Sequence, residues 1–390
     1  MHLGVGTAMK RVLILAFTDH CRDPRVYRQL HYFKSRGYHI TTVGKKASTL
    51  TDEHHTVATE NPFLLKQLRR SALILRCYSL YSSLHPSVRS THLSGEWDLV
   101  VANDLETLPL ALRFSSPVLF DAHEYSPKEW EERLLFRLLV QPYRFHTCRQ
   151  LLPKVSFMTT VCEPIAKEYE KEFGVKAHLI TNATHYHALE PKKVDPKQIK
   201  MIYHGVAAPA RSLEYTLEIF SLLDKRFTLD LILIPGDSHY IEKIKKKAGK
   251  DKRIRFLDPV PMEKIPELCN QYDIGFFPLL PLNMNYRFGL GNKFFEFIQA
   301  RIAIAISPLQ EMQKITQEQG LGFVGKDFST HALAELLNKA SSEEIFEKKQ
   351  ACDRVAKKFS AEANFAILDE LLASTCSLSS PALSSTKQGA

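Results

Sequence analysis

At 390 residues, with 44% hydrophobic and 24% charged residues, the chain has the composition of a soluble globular protein and a length that calls for two domains. A formal charge of +9 suits an anionic partner such as nucleotide phosphates, an acidic membrane surface or nucleic acid, and equally a merely basic surface. Seven cysteines with no C-x-x-C pair argue against a disulfide framework or a patterned zinc site, and no apolar run approaches the roughly 20 residues of a membrane span. Met1 to Lys10 lacks the apolar core of a signal peptide, and Met9 reads as a second start. The expected location is therefore the cytoplasm, with peripheral contact at the inner face of the membrane as a further expectation.

Arg11 to Phe17 is a short β-rich run of the buried-strand type. Asp23 then suits an N-cap, with Pro24 at the first helical position. The helix that follows carries Val26, Leu30 and Phe33 on one face and stops at Gly37, before a second strand over Tyr38 to Val43. This strand–helix–strand unit signals a parallel sheet. Its first turn, Thr18 to Asp23, lacks G-x-G-x-x-G, which argues against a nicotinamide or flavin dinucleotide. Arg25 and Arg28 lie in the first turns of the helix, within reach of a site at the strand's C-terminal end. Arg28 is the more readily explained as part of a solvated face. Asn61 to Ser87 and Leu134 to Lys154 mix Leu and aromatic residues with Lys and Arg, as basic amphipathic helices do. Such helices lie either on an anionic bilayer or on the core with a basic outer side.

Further strands are expected at Trp97–Ala102, ending in Asn103-Asp104, and at Pro117–Phe120, ending in Asp121-Ala122-His123-Glu124. Ligands of open α/β sheets gather beyond the carboxyl ends of strands, which makes Asp104, His123 and Glu124 site candidates. Imidazole supplies a hydrogen-bond donor or acceptor, and a carboxylate a base or an orienting partner. A strand at Ser156–Val161, a helix from Pro164 to Gly174 and a strand at His178–Thr181 complete this half.

Glu190 to Gln198 is rich in Pro and Lys without apolar periodicity, as in an interdomain linker. Strands then recur at Ile199–Tyr203, Thr228–Pro235, Ile254–Leu257, Ile274–Phe277 and Phe323–Val324, with helices from Arg211 and over Glu263–Gln271. Within Asn283 to Ser307, a glycine-containing loop, Tyr286 to Gly291, enters a helix opened by Asn292 and ending near Arg301. The strand Ile302–Ile306 follows at once. Such a helix mouth offers backbone N–H groups to an anion, with Glu296 one turn inside. A last helix is expected over Val355–Ala373. The expected division is an N-terminal domain over 9–190, a C-terminal domain over 199–354, a crossover helix over 355–374 returning to the first domain, and a disordered tail over 375–390.

The motifs Asp23-Pro24-Arg25-Val26, Trp97-Asp98, Asp121-Ala122-His123-Glu124, Tyr203-His204-Gly205, Arg211-Ser-Leu-Glu214 and Asn292-Lys293-Phe-Phe-Glu296 occur in one order. That order resembles the retaining glycosyltransferases of family four (glycosyl transferases group 1), over roughly Met9 to Leu372. The resemblance implies an α/β GT-B fold, two doubly wound Rossmann-like domains facing across a cleft, with acceptor on the N-terminal and donor on the C-terminal side. It implies transfer of a sugar from a nucleoside-diphosphate sugar to an acceptor hydroxyl of a glycan or lipid-linked molecule, in surface polysaccharide or glycolipid synthesis. Glu296 then matches the carboxylate that takes both ribose hydroxyls, a vicinal diol suiting two acceptor oxygens. Arg211 and Lys293 match the cations that neutralise the diphosphate, with Gly291 and Asn292 beside it and Gly205 permitting its close approach. His123, with Glu124, faces the donor sugar from the N-terminal domain; Arg25 and Asp104 lie on the acceptor side. No metal and no cofactor beyond the co-substrate is implied. The family pattern carries a further glutamate eight residues before Glu296, where this chain has Phe288. A nucleotide-sugar epimerase of the same architecture and a catalytically silent sugar-nucleotide-binding or scaffold protein remain the alternatives. Nucleic acid is not an expected partner.

Overall fold

The computed structural model describes residues 9–378 except 92, 237 and 250. The first sheet is built from β1 (Arg11–Leu15), β2 (His39–Gly44), β3 (Glu53–Thr56), β4 (Leu99–Asn103), β5 (Val118–Ala122), β6 (Phe157–Thr160) and β7 (His178–Leu179). The second contains β8 (Ile199–Ala207), β9 (Phe227–Pro235), β10 (Ile254–Leu257), β11 (Ile274–Phe277), β12 (Ala303–Ile306) and β13 (Gly322–Val324). Their orders are β3-β2-β1-β4-β5-β6-β7 and β10-β9-β8-β11-β12-β13, and every pairing between these strands is parallel. Each sheet reverses direction beside its first strand, so each opens a crevice there at the strands' carboxyl ends.

Continuous apolar runs form these strands because both sheet faces are covered. In β1, Leu13 and Leu15 join one core cluster while Val12 and Ile14 join the other, and all four are fully buried. The second cluster is sealed by the C-terminal helix Ala361–Leu378, whose Leu368, Leu371 and Leu372 pack beneath the N-terminal sheet. Asp369 fixes the contact by accepting from Tyr32 Oη at 2.9 Å and pairing with Arg36 at 2.6 Å. The expected return of the chain to its first domain is therefore present.

Its expected helix is not continuous. Ser342–Val355 is one helix and Ala361–Leu378 another, because Gln299 Nε2 draws the carbonyls of Ala356 (2.6 Å) and Phe359 (2.9 Å) out of helical pairing. The second helix also runs to Leu378, beyond the expected end at 374; the rest of the expected tail, 379–390, lies outside the described residues. A second departure lies nearer the cleft. Met284–Phe288, which takes in the first three residues of the expected loop Tyr286–Gly291, is a short helix capped by Asn283, whose side chain accepts from Tyr286 N. The loop proper is confined to Gly289–Gly291, and Asn292–Gln299 follows as the expected helix.

Candidate functional site

The two crevices face one another across a cleft of about 970 Å³. The N-terminal domain contributes Asp23, Arg25, His123, Glu124 and Asn182 to its walls; the C-terminal domain contributes Arg211, Asn285, Tyr286, Gly291, Asn292 and Lys293. Side-chain hydrogen bonds tie the walls together at the rim. Asn285 Oδ1 accepts from Tyr125 N at 2.7 Å and its Nδ2 donates to Glu124 Oε2 at 3.1 Å. Asn182 Nδ2 donates to Leu290 O at 2.8 Å, and Arg28 donates to Asn292 Oδ1 at 3.3 Å. Met284 N reaches Glu131 Oε1 at 2.8 Å.

On the N-terminal side, the Asp23 carboxylate caps the Pro24–Ser35 helix through Arg25 N and Val26 N, which turns Arg25 under the cleft floor. Four of the five N–H donors of its guanidinium are engaged. It forms a bidentate pair with Asp121 (Nε to Oδ2 2.6 Å) and donates to Ile180 O and Asn182 Oδ1. Asp121 also accepts from Gln29 (2.6 Å) and Thr159 (2.6 Å), and against the cost of burial the Arg25 charge and hydrogen bonds, and then His123 and Thr159, hold its carboxyl below the ordinary range. Breaking a buried pair strands the remaining charge, at about 3–5 kcal/mol. We expect Asp121→Ala to lose that much in chemical denaturation at pH 7. Because the folded-state pKa is depressed, the wild-type contribution is complete above pH 4 and declines as pH falls through that lowered value; the variant shows no such decline.

The remaining N-terminal groups border the cleft without being spent on one another. Asp104 has φ +65°, a left-handed backbone that costs an L-residue about 1–3 kcal/mol and clusters at functional sites. Enclosure by the cleft, then the charges of Glu106 and Asp23, push its carboxyl well up. His123 lies 3.7 Å from Asp104 and 3.9 Å from Asp121, too far for hydrogen bonds, and its buried Nε2 has no partner. Burial and then Arg25 lower its pKa, so the ring is neutral near pH 7. Burial and Glu129 raise the Glu124 carboxyl to about 7.

Across the cleft, β8 ends in a close approach of backbone and cation. Gly205 has φ +127°, and a Cβ there would stand 2.5 Å from both Cε and Nζ of Lys293. The ammonium lies over the rings of Tyr203 (5.4 Å) and Phe277 (5.0 Å), apolar surroundings in which burial, and then Arg211, lower its pKa. Arg211 follows β8 on a turn closed by Ser212 at φ +48° and stacks on Tyr286 at 5.5 Å; among the described residues it has no carboxylate partner. Glu296 is buried one turn into the Asn292 helix. Burial raises its carboxyl, while Lys293 and Arg28 pull the other way. The nearest basic group is His204 Nε2 at 3.4 Å, on a ring that burial and Lys293 push down to about 3. His204 and Gly205 also open a second hollow of about 290 Å³, walled by Ile232, Pro259, Val260 and Leu268.

The structure thus gathers His123, Glu124, Arg211, Gly291, Asn292 and Lys293 on one cleft, with Gly205 and Glu296 just beneath it. Asp104 adjoins His123, and Arg25 lines the floor with most of its N–H groups spent on the N-terminal domain. Arg28 is a correction: it is 7% exposed rather than on a solvated face, and burial and Arg25 lower its pKa to about 10. Asn285 and Asn182 were not anticipated. Asn182 follows β7 as Asp104 follows β4, so the same strand-end rule points to it; Asn285 has no such signal. Phe288 packs against the C-terminal core with its carbonyl accepting from Cys162 Sγ at 3.3 Å, and does not line the cleft.

A family profile described as Glycosyl transferases group 1 matches residues 198–342. No curated protein matches the chain in sequence. Among solved structures, a sucrose-phosphate synthase from Thermosynechococcus elongatus is similar with a TM-score of 0.70 at 13% identity, over 95% of this chain and 100% of that one. HepE of Anabaena, solved with UDP-glucose, gives 0.67 at 12% identity over 93% and 99%. WaaG, a glycosyltransferase involved in lipopolysaccharide biosynthesis, gives 0.64 at 12% identity over 93% and 99%. At these identities the likeness establishes the GT-B fold.

Proposed function

We propose that this chain, a GT-B protein carrying a glycosyl transferases group 1 domain, moves a sugar from a nucleoside-diphosphate sugar to an acceptor hydroxyl with retention at the anomeric carbon. The observation that carries this reading is the pair of cleft-facing cations, Lys293 and Arg211, set beside the N-terminus of the Asn292 helix, with no carboxylate among the described residues paired to Arg211. Diphosphate departs with developing negative charge, which fixed cations and helix N–H groups stabilise more than the ground state. These groups do that work without a metal. Glu296 takes the ribose diol, with the base on the side of His204, Pro259 and Val260 and the diphosphate on the other. The donor sugar then lies toward His123 and Glu124, and the acceptor enters by Asp104. In the transfer, the bond from the anomeric carbon to the diphosphate oxygen breaks and the bond to the acceptor oxygen forms on the same face. The acceptor's proton leaves to the departing diphosphate.

Neutral His123 serves the sugar as a hydrogen-bond partner without adding positive charge beside the forming oxocarbenium. Glu124, tied through Asn285, supplies a carboxyl on the sugar side that Phe288 does not. Glu124→Gln keeps the Asn285 contact, and we expect kcat/KM for the full donor to fall about 10- to 100-fold, with the Kd of the free nucleoside diphosphate unchanged. Parallel loss of both would move Glu124 off the sugar.

The acceptor in this reading is a glycan or lipid-linked molecule in surface polysaccharide or glycolipid synthesis, and the hexosyl donor most worth trying first is a UDP-sugar, since HepE was solved with one. The decisive experiment incubates the protein with UDP-, GDP- and ADP-sugars and candidate acceptors and follows nucleoside diphosphate release. Release with a product of retained anomeric configuration supports the reading. Binding without turnover for every acceptor favours a silent binding protein, and interconversion of sugars without release favours an epimerase.

A further inference from the structure

Two segments far apart in sequence form one exposed face on the N-terminal domain. The helix Phe63–Ile74 packs against the helical turn Phe136–Val140. Of the twelve residues of the first helix only Ala72 is buried. Phe63, Leu64 and Leu75 are 72%, 79% and 72% exposed, and from the second segment Leu134, Leu135 and Leu138 are 59%, 71% and 59% exposed. Scattered exposed leucines are ordinary, but a shared run of large apolar side chains on adjoining elements is the mark of an interaction surface.

Charge identifies the partner. No Asp or Glu occurs from Asn61 to Gly95 or from Leu134 to Cys162, while Lys66, Arg70, Arg76 and Arg137 are interleaved with the apolar residues and exposed. Glu60 is exposed just before the first stretch, while Glu131 and Glu132, just before the second, are engaged by Met284 N and the Asn283 amide. Cations around projecting apolar side chains suit a surface that is anionic at the headgroups and apolar beneath. A second copy of this chain would set the same cations against one another.

We infer that this face docks the protein on an anionic bilayer, Phe63, Leu64 and Leu135 entering the headgroup boundary and Arg70 and Arg137 meeting lipid phosphates. No helix among the described residues is long and apolar enough to cross a membrane, so the attachment is peripheral. The face adjoins the cleft, because the turn that precedes Leu134 carries Glu129 and Glu131, which bond Asn283 and Met284 at the rim.

The full chain is floated with vesicles of phosphatidylcholine alone and of phosphatidylcholine with phosphatidylglycerol. It should rise only with the second, and less so at high salt. Trp130 stands beside Arg133 at 4.4 Å, and Trp97 is buried, so a blue shift on vesicle addition reports this face and not another. The triple variant Phe63→Ser, Leu64→Ser, Leu135→Ser and the double variant Arg70→Glu, Arg137→Glu should each lose at least about tenfold in bound fraction, with unchanged circular dichroism. Wild type that ignores anionic vesicles, or variants that bind them as wild type does, overturn the inference. So does a wild-type dimer that the triple variant dissolves with vesicle binding unaltered, which assigns the face to self-association. The readings involve no donor, so their failure is separable from failure of the transferase reading.

Discussion

Glu296→Ala is expected to lower kcat/KM for the nucleotide-sugar by about 100- to 10,000-fold, mostly through KM. A carboxylate that holds both ribose hydroxyls contributes two charge-assisted hydrogen bonds of about 1.5–3 kcal/mol each. The ribose does not change charge during transfer, so these bonds act alike on ground and transition states and their loss appears as weaker donor binding. The alanine variant also leaves Arg28 and Lys293 without the charge that offsets them. Glu296→Gln separates the effects: it keeps the volume and one acceptor, so its fold survives while donor binding still falls at least tenfold. Glu242→Ala, at an exposed i,i+3 pair with Lys245, is the matched control and should leave both parameters unchanged. Isothermal titration with donor, beside initial rates, tests the division. A large drop in kcat at constant donor affinity would take Glu296 off the ribose.

The parts of this protein that were legible in its sequence are those whose energetics are local. The cap at Asp23 with Pro24 behind it and the stops at Gly37 and Gly174 are matters of a few neighbouring residues, and both helices lie where those signals place them. Strands β10 and β11 carry their own apolar patterns and match the reading to the residue. By contrast β3 (EHHT) is polar and largely exposed at the sheet edge, and is held by backbone pairing and polar contacts such as Thr42 Oγ1 with His54 Nδ1 at 2.8 Å, so no apolar periodicity betrays it. The break before Ala361 is imposed by Gln299, a residue of another helix. Arg28 shows the same limit at the site. Beside Arg25 on an amphipathic helix it reads as surface, yet the opposing domain buries it by bringing Asn292 within 3.3 Å. Asn285, whose side-chain hydrogen bonds all cross the cleft, had no signal along the chain. Local chemistry, then, indicated where the cleft walls stand, and contacts between domains decided which side chains hold them together.

Phe288 gains its meaning from that same distinction. On sequence it marks a missing sugar-side acid within the C-terminal domain; in the fold, Asn285 of the same short helix reaches Glu124 of the other domain instead. The carboxyl on that side of the cleft is thus supplied across the interface, and only when the domains are together. A sugar specificity assembled in this way depends on closure as well as on pocket shape, since separating the walls removes Glu124 from Asn285.

Lys293 should make donor affinity depend on pH, with both limbs of the profile assignable. In the free protein, burial and Arg211 hold the Lys293 pKa below its ordinary 10.5, while burial holds Glu296 above its ordinary 4.5. A bound diphosphate favours the ammonium and a bound diol the carboxylate, so binding raises the first pKa and lowers the second. A site whose bound-state pKa exceeds its free-state pKa takes up a proton on binding. Affinity then weakens as pH rises from the lowered Lys293 value toward 10.5, by up to about tenfold per pH unit for one proton. By the opposite sign, affinity weakens as pH falls below the raised Glu296 value. The intact nucleotide-sugar is the right probe, because its diphosphate diester has no phosphate of pKa near 6 to titrate. Lys293→Met should lower affinity at pH 7 by about 100-fold, as the loss of a fixed cation in a water-poor site does, and should abolish the alkaline limb while keeping an acid limb, moved to higher pH because Lys293 no longer lowers the Glu296 carboxyl. Titration calorimetry in buffers of different ionisation enthalpy counts the protons directly: uptake on the alkaline side in wild type and none in the methionine variant. An alkaline limb of equal slope in Lys293→Met would place the titrating group elsewhere and remove the diphosphate from Lys293.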